Sequence, residues 1–135
     1  MSFEKIKLND KEKEKLDFAK YIGDQSNISE WKCGVVLFPL SGRTAMGVHH
    51  TRVENEVRYA IKPQTHLLFE AYTNNVDPVD SIVYSTHCLG PEGLQVLDFL
   101  GVARLVFMDE NPEFKYEDLE KLLESVKLKV QQVEG

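Results

Sequence analysis

The chain has 135 residues, of which 42% are apolar and 28% charged, and its formal net charge at pH 7 is −6. This length predicts a single domain, residues 1–135, built around one hydrophobic core. The lysines near both ends are interleaved with glutamates, a pattern typical of solvated helix faces. Binding to long nucleic acids is disfavoured, because such proteins cluster Lys and Arg against the phosphates. A small anionic ligand is compatible with this charge, since one or two well-placed groups suffice for it.

Neither a membrane segment nor a disulfide framework is expected. No apolar run is long enough to cross a bilayer, and the first residues continue into Lys and Glu rather than into an apolar signal core. Two cysteines, Cys33 and Cys88, are too few for a disulfide framework or a four-thiolate zinc site. We therefore expect a cytoplasmic protein without a membrane partner.

The first half of the chain predicts a helix, a pair of strands and a second helix. Apolar residues recur at near-helical spacing between Asn9, a suitable N-cap, and Gly23, where the helix should end. The apolar run 31–40 has the length of a strand, and a turn connects it to an antiparallel partner over 44–50. A Pro-initiated helix is predicted over 66–74.

The second half alternates strands with helices. Strands are predicted over 80–86, 103–108 and 128–133, with helices from 90 to 100 and from 116 to 126 between them. The predicted order is α-β-β-α-β-α-β-α-β. Strands that alternate with helices after one opening hairpin predict an α/β fold, a three-layer α/β/α sandwich with a mixed five-stranded sheet.

Several short segments resemble the zinc-dependent cytidine and deoxycytidylate deaminase family. They are 32–37 (KCGVVL), similar to that family's K-V-G-A-V-I strand, 47–50 (GVHH) at its G-Y-N-G turn, 84–86 (YST) at its Y-V-T strand and 104–107 (RLVF) at its k-L-V-Y strand. Gly93 also stands eight residues before Gly101-Val102, the spacing at which the family has its second zinc cysteine before a Gly-Ile pair. The resemblance covers almost the whole chain and implies the cytidine-deaminase-like fold.

The same resemblance implies that the chemistry of the family is lost. In the family one His and two Cys hold Zn²⁺, and a Glu two residues after the His transfers protons, within H-x-E and P-C-x-x-C. Here His66 stands at the zinc His, Leu68 at the Glu, and Gly90 and Gly93 at the two Cys. Leucine cannot transfer a proton and glycine offers no side-chain ligand. We therefore expect no catalytic residues, no metal and no cofactor.

Other uses of the polar residues stay open. Cys88 and His87, with His66 and either His49 or His50, could form a relocated zinc site, and the chain would then be a divergent zinc-dependent (deoxy)cytidylate deaminase. A zinc-free enzyme with His66 as general base is a further alternative, although nothing in the sequence positions a partner for it.

The preferred hypothesis is a catalytically inactive deaminase-fold protein that binds a nucleotide-like ligand or a protein partner. The helix that begins near Gly90 would turn its free N–H groups and positive dipole end toward the ligand. The family commonly forms oligomers, so a second copy or a related chain is an expected partner, through segment 94–100 or the C-terminal helix. The candidate pocket residues are His49, His66, Thr86, His87 and Cys88.

Overall fold

Eight strands and four helices, numbered in chain order, make up residues 2–28 and 31–135, the part of the chain that the computed structural model describes. They are β1 (Glu4–Ile6), α1 (Asp10–Gly23), β2 (Gly34–Phe38), β3 (Ala45–Val48), β4 (His50–Glu54), β5 (Val57–Ile61), α2 (Pro63–Thr73), β6 (Ile82–His87), α3 (Pro91–Phe99), β7 (Arg104–Asp109), α4 (Tyr116–Ser125) and β8 (Lys129–Val133). No helix within this part is both long and apolar enough to cross a membrane.

Six strands form one mixed sheet in the order β1-β8-β7-β6-β2-β3. The pairs β1–β8, β8–β7 and β7–β6 are parallel, whereas β2 pairs antiparallel with both β6 and β3. One core cluster includes α1 residues and a second includes residues of α2, α3 and α4. The predicted α/β/α sandwich with a mixed sheet is confirmed.

The prediction of five strands in the sheet is wrong, because β1 adds a sixth. This strand has only three residues, two of them exposed, so it carries no apolar alternation. It is recognisable only through its parallel pairing with β8, in which Glu4 lies opposite Gln131.

A second difference is the hairpin formed by β4 and β5. The predicted strand over 44–50 ends at Val48, and β4 and β5 form a separate two-stranded sheet. Asn55 and Glu56 connect them with φ angles of 50° and 67°, the left-handed conformation that two-residue hairpin turns require. Most of the hairpin is exposed, so it lacks the apolar alternation of a core strand.

Helices α1 and α2 lie directly against strand backbone. A Cβ atom on Gly34 of β2 would stand 2.2 Å from the carbonyl oxygen of Ala19 and 2.3 Å from the amide nitrogen of Gly23. A Cβ atom on Gly47 of β3 would stand 2.5 Å from the carbonyl oxygen of Pro63 and 2.6 Å from the amide nitrogen of Leu67. Only glycine permits such close approach, so these contacts fix both helices on the sheet.

The chain path brings the first turns of α2 and α3 to the same edge of the sheet. Helix α3 follows β6 and leads to the parallel strand β7, so it begins at the carboxyl end of β6. Helix α2 leads into β6 and therefore begins at that same end. Ligands of open α/β sheets commonly bind at the carboxyl ends of the strands.

Candidate functional site

A cavity of about 290 Å³ lies where the first turns of α2 and α3 meet. It is bordered by the N-terminal residues of both helices, by the loop after β7 and by one tryptophan. The lining residues are Trp31, Lys62, Gln64, Leu89, Gly90, Pro91, Glu92, Gly93, Asn111, Glu113 and Phe114. Because Trp31 is the only tryptophan of the chain, its fluorescence reports on this cavity alone.

The floor of the cavity combines two glycines with neighbouring side chains. Gly90 is the N-cap of α3 and Gly93 lies in its first turn. A Cβ atom on Gly90 would meet the ring of Phe114 at 2.9 Å. A Cβ atom on Gly93 would lie 2.8 Å from Cβ of Leu89 and 3.3 Å from Cδ of Gln64. Side chains from other elements therefore occupy the space that any residue larger than glycine would need.

Gln64 is the residue that sequence reasoning missed. Helix α2 begins at Pro63, a favoured first residue, so Gln64 lies in its first turn. The side chain is 7% exposed and lines the cavity. A signal for it exists in the sequence: positions 64, 67 and 71 follow the helical repeat of the buried face, whose other members are Leu67 and Ala71.

The walls carry one ion pair and one fixed amide. Nζ of Lys62 lies 3.2 Å from Oε1 of Glu113 and 5.8 Å from the ring centre of Trp31. The buried side chain of Asn111 donates to the carbonyl of Cys88 at 2.8 Å and accepts from the amide of Glu113 at 2.7 Å. This wall is therefore held in one conformation by bonds within the protein.

His66 lies outside the cavity, at a junction between α2 and the β4–β5 hairpin. Its Nδ1 accepts a hydrogen bond from the amide of Val48 at 3.0 Å, and its Nε2 lies 3.4 Å from Oε1 of Glu70. Nδ1 of His50 bonds the carbonyl of Val48 at 2.7 Å, and Nε2 of His50 accepts from Nε of Arg52 at 3.1 Å.

Each imidazole of this junction uses one ring nitrogen as a hydrogen-bond acceptor. The two rings pack edge to face with centroids 4.9 Å apart. Burial, followed by the charge of His50, lowers the pKa of His66. The structure thus places Gln64, rather than His66, beside Gly93, because a step of two residues rotates a helical side chain by about 200°. Leu68 is 39% exposed on α2, away from the buried face.

Three other predicted pocket residues, His49, Thr86 and His87, are not part of the cavity lining and lie near Trp31. The ring of His49 is 4.6 Å from that of Trp31, and the ring of His87 is 5.4 Å from it. Burial lowers the pKa of both histidines. The hydroxyl of Thr86 accepts from the amide of Gly34 at 3.1 Å and lies 3.0 Å from Nδ1 of His87. His49, Thr86 and His87 are thus close together, as a support for Trp31.

Cys88, the cysteine of the predicted relocated zinc site, is fully buried. Its thiol donates to the carbonyl of Leu89 at 3.4 Å. Burial raises the pKa of Cys88 to about 12, so its thiol stays protonated at neutral pH. The hydrogen bond of this thiol therefore goes to the backbone at Leu89 and not to a histidine of the relocated metal site.

The residues at the cavity floor do not fit the zinc ion that the resemblance implies. Zinc sites of this kind need imidazole nitrogen and thiolate sulfur ligands. Gly90 and Gly93 offer no side-chain donor, and Gln64 offers only an amide. Among residues 2–28 and 31–135, no group of three or more His, Cys, Asp or Glu side chains is arranged to hold a metal ion.

Among solved structures, several deaminases have a fold similar to that of this chain. The dCMP deaminase of cyanophage S-TIM5, in apo form, matches 93% of this chain and 99% of its own length with a TM-score of 0.75 and 15% identity. The complex of that enzyme with dCMP and dUMP matches 93% and 98%, again with a TM-score of 0.75 and 15% identity. A tRNA deaminase for A-to-I editing at the wobble position matches 90% and 98%, with a TM-score of 0.61 and 13% identity.

The fold of the chain is therefore that of the cytidine and deoxycytidylate deaminase superfamily. A diaminohydroxyphosphoribosylaminopyrimidine deaminase and reductase from Thermotoga maritima matches 90% of this chain but 34% of its own, with a TM-score of 0.59 and 16% identity. No protein-family model matches the chain, and neither does any curated protein.

Proposed function

We propose that this chain, with its deaminase-superfamily fold, is a catalytically inactive protein that binds a nucleotide-like ligand in the cavity between α2 and α3. The observation that carries this proposal is the floor itself: an open cavity of about 290 Å³ is retained, but Gly90, Gly93 and Gln64 line it. The cyanophage deaminase of the same fold is described in complex with dCMP and dUMP, which supports a ligand of nucleotide type.

The inactivity follows from the chemistry of deamination. Hydrolytic removal of an amino group needs an activated water and a group that transfers protons beside it. Gln64, Gly90 and Gly93 can do neither. The carboxylates that line the cavity belong to Glu92, which is exposed, and to Glu113, which is 49% exposed and paired with Lys62. Both are at the solvent side rather than at the floor.

The proposal is tested by combining binding and activity measurements on the full chain. Calorimetric titration with dCMP and dUMP should show binding, while incubation with dCMP should release no ammonia. Gly93→Val should abolish binding, because its side chain would enter the floor beside Leu89 and Gln64. Gly135→Val is the matched control, since a Cβ there has no heavy atom within 4 Å. Catalytic release of ammonia would refute the inactivity, and absence of binding would refute the ligand site.

The alternative of a divergent zinc enzyme lacks support from the described residues. It needs His66 and Cys88 to join His49 and His87. His66 instead bonds Val48 on the hairpin side of α2, and the thiol of Cys88 is buried against Leu89.

A second copy of the chain is the protein partner that the surface favours. Within the segments predicted as partner surfaces, Leu94, Leu97 and Leu119 are fully buried in the core, whereas Phe99 at the end of α3 is 90% exposed. Phe69 and Tyr72 of α2 are 59% and 84% exposed. We propose that they contact a second copy, since exposed apolar groups on neighbouring helical positions mark interfaces. Light scattering should then show a dimer that Tyr72→Ser dissociates, and a monomeric wild type would exclude it.

A further inference from the structure

The amide of Gln64 is a buried polar group whose hydrogen-bonding capacity is not used by the part of the chain that the structure describes. The side chain is 93% buried, as its 7% exposure shows, and it lines the cavity. Across residues 2–28 and 31–135 it has no hydrogen-bond partner, and no fully enclosed polar atom is left unpaired. The amide therefore reaches the open space of the cavity. Asn111, the other amide there, has both of its groups bonded to backbone.

An unpaired amide in such a place constrains what binds to it. A glutamine amide presents a carbonyl acceptor next to an NH₂ donor. Leaving these groups without partners while a ligand displaces water costs about 1–3 kcal/mol. A ligand that fits must therefore offer an adjacent donor and acceptor. The edge of a nucleobase has this arrangement, which is why glutamine pairs with bases through two parallel hydrogen bonds.

The charges around the cavity oppose an anion. Lys62, the cation of the lining, is paired with Glu113 at 3.2 Å. Glu92 adds a second carboxylate in the first turn of α3, where negative charge already compensates the positive end of the helix dipole. A phosphate at this helix end would therefore face Glu92 instead of a free dipole. The ring of Trp31, in contrast, lines the cavity as an aromatic group against which a neutral ring can pack, with Nζ of Lys62 5.8 Å from its centre and the ring of His49 4.6 Å away.

We infer that the cavity binds the uncharged base of a nucleobase or nucleoside, with the Gln64 amide pairing with its edge and Trp31 against its face, and that no phosphate is needed. This inference rests on the proposed ligand site and names the part of the ligand that is recognised. The volume of about 290 Å³ suits it, since it lies at the low end of the roughly 300–1,000 Å³ of small-molecule sites.

The first test compares nucleosides with their monophosphates on the full chain. Uridine, cytidine and adenosine are titrated against their 5′-monophosphates while the fluorescence of Trp31 is recorded. At least one nucleoside should bind with an affinity equal to or greater than that of its monophosphate. A monophosphate that binds about tenfold more tightly, or more, overturns the inference and leaves the ligand site standing. If no compound alters the fluorescence or gives heat of binding, the proposed site fails as well.

The second test removes the amide. Gln64→Met keeps the length of the side chain without donor or acceptor, and should weaken nucleoside binding about tenfold, the loss expected for two net hydrogen bonds of about 0.5–1.5 kcal/mol each. Gln95→Met, on the exposed side of α3, is the matched control and should bind as the wild type does. Equal affinity of Gln64→Met and wild type refutes the role of the amide.

A stability measurement makes the second test independent of ligand. If the amide is unpaired in the free protein, Gln64→Met should not lower the free energy of unfolding in urea. A loss of more than about 1 kcal/mol, the typical net value of an intramolecular hydrogen bond, would show that the amide bonds within the protein and would overturn the inference.

Discussion

Helix α2 carries polar side chains on two sides, and the two sides differ in how much of their hydrogen-bonding capacity is used within the described structure. On the hairpin side, His66 and His50 use all four ring nitrogens on Val48, Glu70 and Arg52. On the cavity side, Gln64 has a buried amide that faces open space. Histidine is more often a catalytic or metal-binding residue than glutamine is, yet His66 and His50 bond the backbone of Val48 and connect the hairpin to α2. Unused hydrogen-bonding capacity, rather than residue type, is therefore the reason why we propose the cavity side as the binding side.

The largest expected effect is on zinc affinity, when a metal site is engineered either on the cavity side of α2 or on its hairpin side. Gln64→His combined with Gly90→Cys and Gly93→Cys should bind Zn²⁺ and retain it through dialysis. Leu68→Glu with the same two cysteines, which relies on His66, should bind at least about tenfold more weakly, because even an outer-shell partner is worth roughly 10–100-fold in metal affinity. Titration with Co²⁺, followed by its visible absorption, measures both affinities.

These two variants separate the positions of Gln64 and His66 directly. Both must be folded by circular dichroism, since the new Cβ atoms displace the ring of Phe114 and press on Leu89. Equal metal affinity in the two variants would contradict the placement of Gln64 at the floor.

The second effect is acid sensitivity of the hairpin junction. Below its ordinary pKa of 6.5 the unfolded chain protonates His66, whereas the folded chain resists, because burial and His50 lower the pKa of His66. Stability from this group is therefore complete above pH 6.5 and is lost as the pH falls through the lowered value. A proton on Nδ1 of His66 would face the amide of Val48, while the carboxylate of Glu70, near Nε2, would favour the charged ring.

Hydrogen exchange of residues 50–61, corrected for intrinsic rates, measures this junction. Between about pH 7.5 and pH 5, protection of the hairpin should fall by on the order of 1 kcal/mol, the net value of one hydrogen bond. His66→Gln, which accepts from Val48 without titrating, should remove the effect. His87→Gln is the control, because burial also lowers the pKa of His87 but this residue lies away from the hairpin junction. This variant should behave as the wild type does. Persistent acid opening in His66→Gln would refute the role of the junction.

The smallest effect is expected for the ion pair between Lys62 and Glu113. The two side chains are 44% and 49% exposed, so solvent screens their attraction. Glu113→Gln should change the free energy of unfolding by less than about 1 kcal/mol, and added salt should reduce the difference further. Urea titrations at low and high ionic strength measure it. A larger, salt-independent loss would mean that the wall of the cavity depends on this pair.

Most of the fold could be predicted because the core elements carry periodic apolar patterns. The strands β2, β6 and β7 are buried along most of their length, and each was predicted within a few residues. What escaped prediction has weak patterns. Strand β1 is three residues long and largely exposed, and most residues of the β4–β5 hairpin are exposed as well. Strand β1 is defined by its pairing with the distant strand β8, and β4 by its antiparallel pairing with β5. The spacing of apolar residues within one segment does not reveal such pairing.

The site was harder to predict, for a geometric reason. The motif comparison assigned His66 to the zinc-ligand position because it is a histidine. Two residues along a helix, however, point in nearly opposite directions, so His66 faces the hairpin whereas Gln64 faces the cavity. The start of α2 at Pro63, three residues earlier than predicted, decides which residue occupies the first turn. Gly90 and Gly93, whose assignment relied on the spacing to Gly101, both line the cavity.

The close approach of the helices to Gly34 and Gly47 has a consequence for how this sequence can diverge. Those contacts join backbone to backbone, so they require only that two positions stay glycine and ask little of the surrounding side chains. Sequence change at other positions therefore need not alter how these two helices lie on the sheet. The solved deaminases of this fold share 13–16% of aligned residues with this chain, so the same backbone arrangement is compatible with widely different sequences.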